Sequence, residues 1–580
     1  MSLGATAWRE VLSWVSFANS QEGVGGPPGP PRFCKMQSRS YWFIVAAASF
    51  GFFMAILDTS IVTIAVPAIE QGLNTNIENV TWVLNAYNLV FAVLLIPAGR
   101  VADRFGRKKL FIIGIVIFTV FSFACGVSGH IGLLIGARAL QAVGAAIMVP
   151  VSLAILVVAV PPSRRGAAIG IWGAINGVAS AIGPTLGGVL TQYIGWEWIF
   201  FINIPVGVIG IAACLYFIPE SRDPEQSQRV DYPGTAFLSI SLFTLTLALV
   251  RGEPVGWSTP FILGLFATSA VSGVLFVITE SIVKEPLVDL RMLEQKTFAA
   301  ANVTTLILGI GFFGSLFLGI QYLTVVEGYS TLRAALAITP LPAMIAVVAP
   351  FAGRLSDRIG PRAVVPLGLG IFGLALLSFS GLHAGTTYPH LAWRFVLAGL
   401  GLGLAFPPLA SAAMGVVFRG KQGVGSGVFN TSRQVGFTVG LAVLVAVFLG
   451  ALHPRLSNAQ SEATNVVQQT PLPDPVKQGI IQGINNAVSS SSAEAAQSGE
   501  QQKFDLYDAV KQMAGQQVAD ANRETLDQLT QQLQVIFAQA AASSFDRSFL
   551  VGAFIVWVAA ASALLIQNPG RPPSAPQIAA

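Results

Sequence analysis

The stretch GRVADRFGRKK, Gly99–Lys109, returns in the second half of the chain as GRLSDRIGPR, Gly353–Arg362. Both read G-R-x-x-D-R-x-G with an arginine or lysine within the next two positions, and both directly follow an apolar run. The physical logic is a helix end meeting a tight glycine turn, with one carboxylate set among arginines. Such an aspartate can pair with those arginines or with a helix terminus and so hold two parts of a chain together. A repeat at corresponding loops marks transporters built from two related halves. The candidate latch residues are therefore Gly99, Asp103, Arg104, Gly106 and Arg107 in the first copy, and Asp357 and Arg358 in the second. The plainer alternative is that both loops only anchor membrane helices by positive charge; recurrence at matched places favours the latch.

Outward from these loops the chain is apolar. Of its 580 residues 53% are hydrophobic and 11% charged, where a soluble protein carries about 25% charged residues. A helix needs about 20 apolar residues to cross a bilayer. Fourteen stretches qualify: 42–67, 80–101, 109–128, 131–159, 166–190, 197–218, 232–250, 259–280, 298–323, 333–353, 362–382, 392–416, 424–449 and 548–567. The expected fold class is an all-α membrane protein. Alternate short loops hold nearly all the lysine and arginine, including Arg104, Arg107, Lys108, Lys109, Arg164, Arg165, Arg222, Arg229, Arg354, Arg358, Arg362, Arg419 and Lys421. The intervening set holds only Arg251, Arg333 and Arg394. The positive-inside rule makes the first set cytoplasmic, which places both termini inside and predicts a multi-pass protein of the cell (inner) membrane.

Several functions are excluded by what the sequence lacks. The net charge of +5 is scattered over short loops, not gathered on one face, so no nucleic-acid partner is expected. Cys34, Cys125 and Cys214 show no paired spacing, and His130, His383, His390 and His453 lie at expected loop edges without an HExxH pattern, so no metal is expected. Neither a GxxxxGK[ST] loop nor a catalytic triad signature is present, which argues against ATP as the energy source and against an enzyme. No cofactor is expected.

Residues 1–41 include GVGGPPGPPR and have no apolar core before a small-residue cleavage site, so they are expected to form a disordered cytoplasmic tail. MQSRSYWF begins at Met36 just before the first apolar run, and the natural start is expected there. The sizeable polar segment is 450–547, rich in Gln, Ser and Ala. Val476, Ile480, Ile484 and Val488 fall at helical spacing, as do Leu526, Leu529, Leu533 and Ile536; KFDLYDAVKQM adds Leu506, Val510 and Met513. Amphipathic helices folded back on each other would bury those stripes; a solvated linker is the alternative.

One carboxylate stands in the first apolar run. Asp58, within MAILDTSIVTIAV, is nine residues before Pro67, about 13 Å from that end of its helix at 1.5 Å per residue. Arg138 is eight residues after His130, which opens the fourth run from the same side, about 12 Å deep. Intramembrane charges usually mark an ion or substrate path. Loss of water favours the protonated form of a carboxylate and a nearby guanidinium the ionised form; a proton-driven pump uses both. Asp58 and Arg138 are accordingly the candidate proton-coupling pair, with a static ion pair as the alternative. Trp82, Tyr87, Trp172 and Phe406 are candidates to line a substrate cavity through their aromatic faces, with the polar Gln141, Asn176, Gln321 and Asn430 beside them. Gly183 and Pro184 are expected to set a bend and a close helix contact. In the second half no acid stands at mid-span; Glu327 is near a helix end, and Arg433 lies about a third of the way into the thirteenth run.

The repeated loop resembles motif A of the major facilitator superfamily, and three further stretches resemble signatures of its fourteen-span drug:proton antiporter family. LDTSIVTIAVPAI (Leu57–Ile69) is similar to the first-helix motif, with Thr63 for the usual Asn. RALQAVGAA (Arg138–Ala146) is similar to the fourth-helix motif, with Ala142 for a common Gly. GIWGAINGVASAIGPTLGG (Gly170–Gly188) resembles the fifth-helix antiporter motif, which makes Gly183, Pro184, Gly187 and Gly188 a helix-packing motif. The resemblance implies two six-helix bundles, with 42–220 as the first. It also implies an inserted transmembrane pair at 232–280 and a C-terminal bundle of five helices at 298–449; hydropathy and the charge bias add an extracytoplasmic helical loop at 450–547, a last transmembrane helix at 548–567 and a cytoplasmic tail at 568–580. It further implies alternating-access export of lipophilic compounds, cationic or neutral, driven by the proton gradient; the partners are then small-molecule substrates, protons and the lipid bilayer. The alternatives are an exporter of an endogenous lipid or metabolite working with an outer-side partner through 450–547, and a non-transporting receptor or scaffold on the same fold.

Overall fold

The computed structural model describes residues 40–221, 231–418, 420–498 and 506–568. Residues 1–39 of the tail expected over 1–41, the start at Met36, the end of the chain past 568 and the basic residues Arg222, Arg229 and Arg419 lie outside the described residues; Ser40 and Tyr41 already belong to the first helix. The described residues contain fourteen helices long and apolar enough to cross a membrane. The first thirteen are labelled α1 (Ser40–Gly72), α2 (Ile77–Phe105), α3 (Arg107–Gly126), α4 (Ile131–Ala159), α5 (Arg165–Tyr193), α6 (Asn203–Phe217), α7 (Tyr232–Val255), α8 (Pro260–Ile282), α9 (Lys296–Gln321), α10 (Pro340–Ile359), α11 (Pro361–Phe379), α12 (Tyr388–Gly415) and α13 (Gln422–Gln469).

Their boundaries follow from local chemistry. Asn76 caps α2, its side chain accepting from the amide of Asn79 at 2.9 Å, and His130 caps α4 by accepting from Leu133 at 3.2 Å, satisfying amides that a helix start otherwise leaves unbonded. Gly106 (φ 109°) and Gly360 (φ 90°) separate α2 from α3 and α10 from α11. Both take a backbone conformation that side chains resist, which is why each copy of the repeat carries glycine there. The odd-numbered loops, counted from α1–α2, lie at one end of the helices; the repeat and most basic residues lie at the other, termed here the basic end.

Helices α7 and α8 pair through Ser241 and Ser269, each hydroxyl donating to the other's carbonyl at 2.9 Å. Helix α7 docks on α2 and α13 through Ile96, Leu238, Leu242 and Val424. The other face of α8 exposes Val271, Val274 and Ile278, apolar surface suited to lipid.

Two helices run well past their apolar windows. Helix α13 continues to Gln469, and the last helix, α17 (Arg523–Ala563), starts far before its membrane portion; α14 (Asp474–Ser498), α15 (Leu506–Ala514) and α16 (Gln516–Ala521) lie between them. His453, expected at a loop edge, is instead inside α13, with Nδ1 3.0 Å from the Leu449 carbonyl oxygen. Pro454 follows it without ending the helix. The extension persists because its far end buries Ala463 and Val467 in an apolar core with Val476, Ile480, Ile484, Val510, Leu526, Leu529 and Leu533, and that packing outweighs one lost backbone hydrogen bond. The periodic stripes of 450–547 thus face one another; the side chains of Val488 and Met513 lie outside the described residues.

Candidate functional site: an ion pair and two latches

Helix α1 carries Asp58 into a site built by four further helices. Arg138 Nη1, from α4, donates to Asp58 Oδ2 at 2.5 Å. The second oxygen, Oδ1, accepts from Gln141 Nε2 at 3.0 Å and from Asn203 Nδ2, on α6, at 2.9 Å. Arg138 Nη1 also donates to Gln141 Oε1 at 2.8 Å, and the guanidinium lies over the Tyr87 ring from α2, 4.3 Å from its centroid. Asn203 donates to the Ser122 hydroxyl of α3 at 3.0 Å, and that hydroxyl to the Phe200 carbonyl. Asp58, Arg138, Gln141 and Asn203 are all fully buried. Toward the end opposite the basic one, Ile61, Val80, Val83, Leu134, Trp196 and Phe200 form an apolar plug above the pair. Both oxygens of this carboxylate are thus engaged by donors, so loss of a donor, or a proton on the carboxylate, disturbs the network.

Asp103 and Asp357 each cross from one half of the chain to the other. Asp103, fully buried, accepts from Arg107 Nε at 2.9 Å and Nη2 at 2.7 Å, and from the amides of Gly423 at 2.8 Å and Val424 at 3.0 Å, the opening residues of α13. Arg107 donates further to Gln422 Oε1 at 2.9 Å. Asp357, at the end of α10, accepts from the amides of Gly166 and Ala167, both at 2.9 Å, the opening residues of α5. Each carboxylate therefore sits at a helix N-terminus of the other half, where free amides and the helix dipole favour negative charge. The backbones touch: a Cβ on Gly99 would collide with the Gly423 carbonyl, and one on Gly353 with that of Gly166. Both contacts close the basic end. Of the other latch candidates, Arg104 lies 4.6 Å over its neighbour Phe105, and Arg358 is exposed.

The helix-packing glycines do bring α5 close to its neighbours. A Cβ on Gly183 would meet Ser60 Cβ at 2.5 Å, one on Gly187 the Ile61 carbonyl at 3.1 Å, and one on Gly188 a Leu332 methyl at 2.5 Å; Pro184 lies inside α5 without breaking it. The cavity candidates are dispersed. Gln141 and Tyr87 belong to the ion-pair network. Trp82 lies at the end of α2 opposite the basic one, 5.2 Å from Arg251. Trp172 is buried, donating to Ser152 and stacked on Phe52 with ring centroids 4.0 Å apart. Asn430 donates to the Ser426 carbonyl within its own helix, Asn176 and Gln321 are half-buried, and Phe406 meets Phe429 edge-on. The sequence reading missed Asn203; the sole sign was a polar residue in the otherwise apolar FFINIPVG.

Comparison with known proteins agrees with this architecture. The profile described as Major Facilitator Superfamily matches residues 48–441. The chain is 34% identical over 403 residues to the tetracenomycin C resistance and export protein of Streptomyces glaucescens, covering 70% of this chain and 75% of that one. It is 33% identical over 456 residues to the multidrug resistance protein Stp of Mycobacterium tuberculosis, covering 77% and 81%. Among solved structures, the human organic anion transporter MFSD10 aligns with 91% of this chain at a TM-score of 0.52 and 14% identity, a likeness of fold alone. The fourteen membrane-length helices and these matches define a multi-pass membrane transporter. This chain belongs to the major facilitator superfamily.

Proposed function

We propose that the protein is a proton-coupled antiporter that exports lipophilic small molecules by alternating access, with its basic end and both termini in the cytoplasm of the cell (inner) membrane. The observation that carries this reading is the Asp58–Arg138 pair, fully buried beneath an apolar plug while both latches close the basic end. A static buried pair stabilises a fold no better than apolar packing, so its retention at membrane depth points to exchange: protonation of Asp58 removes the charge that holds Arg138, and the helices around it repack. Asp103 and Asp357 then serve as cytoplasmic latches that release when the cargo site turns inward. The names of the relatives, one a resistance and export protein and one a multidrug resistance protein, support outward transport. The aromatic surfaces of Phe52, Trp172 and Phe406 suit a lipophilic body; on the resemblance alone the cargo is neutral or cationic. The energy source in this reading is the proton gradient, with no bound cofactor.

The test is export by purified protein in proteoliposomes under an imposed pH gradient. Asp58→Asn is expected to remove gradient-driven export, at least about a hundredfold, as befits loss of an interaction needed to couple two states. The variant should stay folded, since Asn retains hydrogen bonds to Gln141 and Asn203. Unchanged gradient-driven export by Asp58→Asn would refute the proposal.

A further inference from the structure

Three arginines are buried among the described residues: Arg107, Arg138 and Arg433. The first two each hold a carboxylate, Asp103 and Asp58. Arg433, on α13, pairs with no carboxylate among the described residues. Its Nε is buried without a hydrogen-bond partner. What surrounds it is aromatic: its guanidinium carbon is 5.4 Å from the ring centroid of Phe52, 5.7 Å from Phe406 and 5.9 Å from Phe437. Ring faces offset only part of the cost of dehydrating a guanidinium, and a buried charge ordinarily carries a counter-charge.

The position gives this orphan charge a use. Phe52 comes from α1, Phe406 from α12 and Phe437 from α13, so both halves of the chain contribute to its surroundings. Phe52 precedes Asp58 by six residues, which places Arg433 about 9 Å nearer the basic end than the Asp58–Arg138 pair. On the other side, the Phe437 ring lies 5.7 Å from that of Phe312, which lines a small apolar cavity with Phe372, Phe379 and Phe395. The Ser315 hydroxyl, also part of that lining, is buried without a partner.

We propose that Arg433 is the head-group site for acidic cargo: a lipophilic aromatic monoanion whose carboxylate, or ionised phenol or enol, pairs with the guanidinium while its rings lie among Phe52, Phe406 and Phe437. The planar fork of arginine matches a carboxylate with two parallel hydrogen bonds. The assignment deepens the export reading by naming a cargo class, and it rests on that reading only for the direction of transport. It extends the cargo beyond the neutral and cationic compounds implied by the resemblance.

The test uses the purified full-length chain and three probes of one size: 2-naphthoate, its neutral amide, and the cationic 2-naphthylmethylammonium. Naphthoate is expected to raise the thermal unfolding midpoint of the wild type, since a ligand that binds only the folded state stabilises it, and the other two are not. In Arg433→Met the naphthoate concentration needed should rise at least about tenfold, the effect of losing a charge-assisted contact. Arg433→Lys, which keeps the charge and loses the fork, should respond between the two. A wild type indifferent to naphthoate, or a shift that survives in Arg433→Met, overturns the assignment. If Arg433→Met does not fold, a wild-type-like response in Arg433→Lys overturns it and a weakened one supports it. Asp58→Asn should still bind naphthoate, so failure of proton coupling and failure of the anion site give different results.

Discussion

The two copies of the repeated loop make the same contact under different conditions. Asp103 is fully buried and receives two backbone amides and an arginine, which itself reaches Gln422. Asp357 is exposed and, among the hydrogen bonds of the described residues, receives two backbone amides. The difference lies in one residue, since Arg107 in the first copy corresponds to Pro361 in the second. Proline at the first position of α11 suits the helix start, but it offers no charge to the carboxylate behind it. The surroundings amplify the difference, because α7 packs on α2 and α13 beside the Asp103 contact. The lesson is that a motif fixes which groups can meet, and burial fixes how much the meeting is worth.

The largest effect is expected for Asp103→Asn. It leaves Arg107 buried without its counter-charge, at a cost of about 3 kcal/mol, and backbone hydrogen exchange at Gly423 and Val424 should accelerate about a hundredfold. Asp357→Asn should cost under about 1 kcal/mol, because an exposed carboxylate is screened by water; exchange at Gly166 and Ala167 should rise less than about fivefold. Equal acceleration in the two variants would break the comparison and show that burial does not rank the latches.

A smaller effect tests the neighbourhood of the first latch. Lys421, just before α13, donates to Asp289 at 2.6 Å. Burial pushes the Asp289 carboxyl upward, but the Lys421 hydrogen bond and charge, with the Arg291 amide, outweigh it and hold the group below the ordinary carboxylate range. A lowered value means that the pair's contribution is complete above the unfolded value, about pH 4, and is lost as pH falls through the lower folded one. Unfolding midpoints measured from about pH 5 to about pH 3 should therefore fall less steeply in Asp289→Asn than in the wild type, by under about 1 kcal/mol. Identical pH profiles would remove this pair from the support of the latch.

The sequence was most legible where one physical constraint dominated. Spans follow from bilayer thickness, and the similar depth of Asp58 and Arg138 followed from helical rise counted from Pro67 and His130. It was least legible where a side chain had several uses. Gln141 reads as a cavity residue, yet it bonds Asp58, because a buried carboxylate with two oxygens needs more donors than one arginine supplies. Asn203 escaped notice since its role depends on which helix start reaches the pair. His453 reads as a loop edge, and tertiary packing at the far end of α13 carried the helix past it and past Pro454.

The sequence by itself determined an all-helical membrane fold in two related halves, because hydropathy, positive charge and the repeated loop are local properties that every conformation of the chain shares. Only the tertiary structure decided that Asp103 is buried and Asp357 exposed, that Asn203 completes the Asp58 network, and that Arg433 has no carboxylate partner among the described residues. Those outcomes depend on which helices lie side by side, and the strength of a charge depends on what its neighbours exclude.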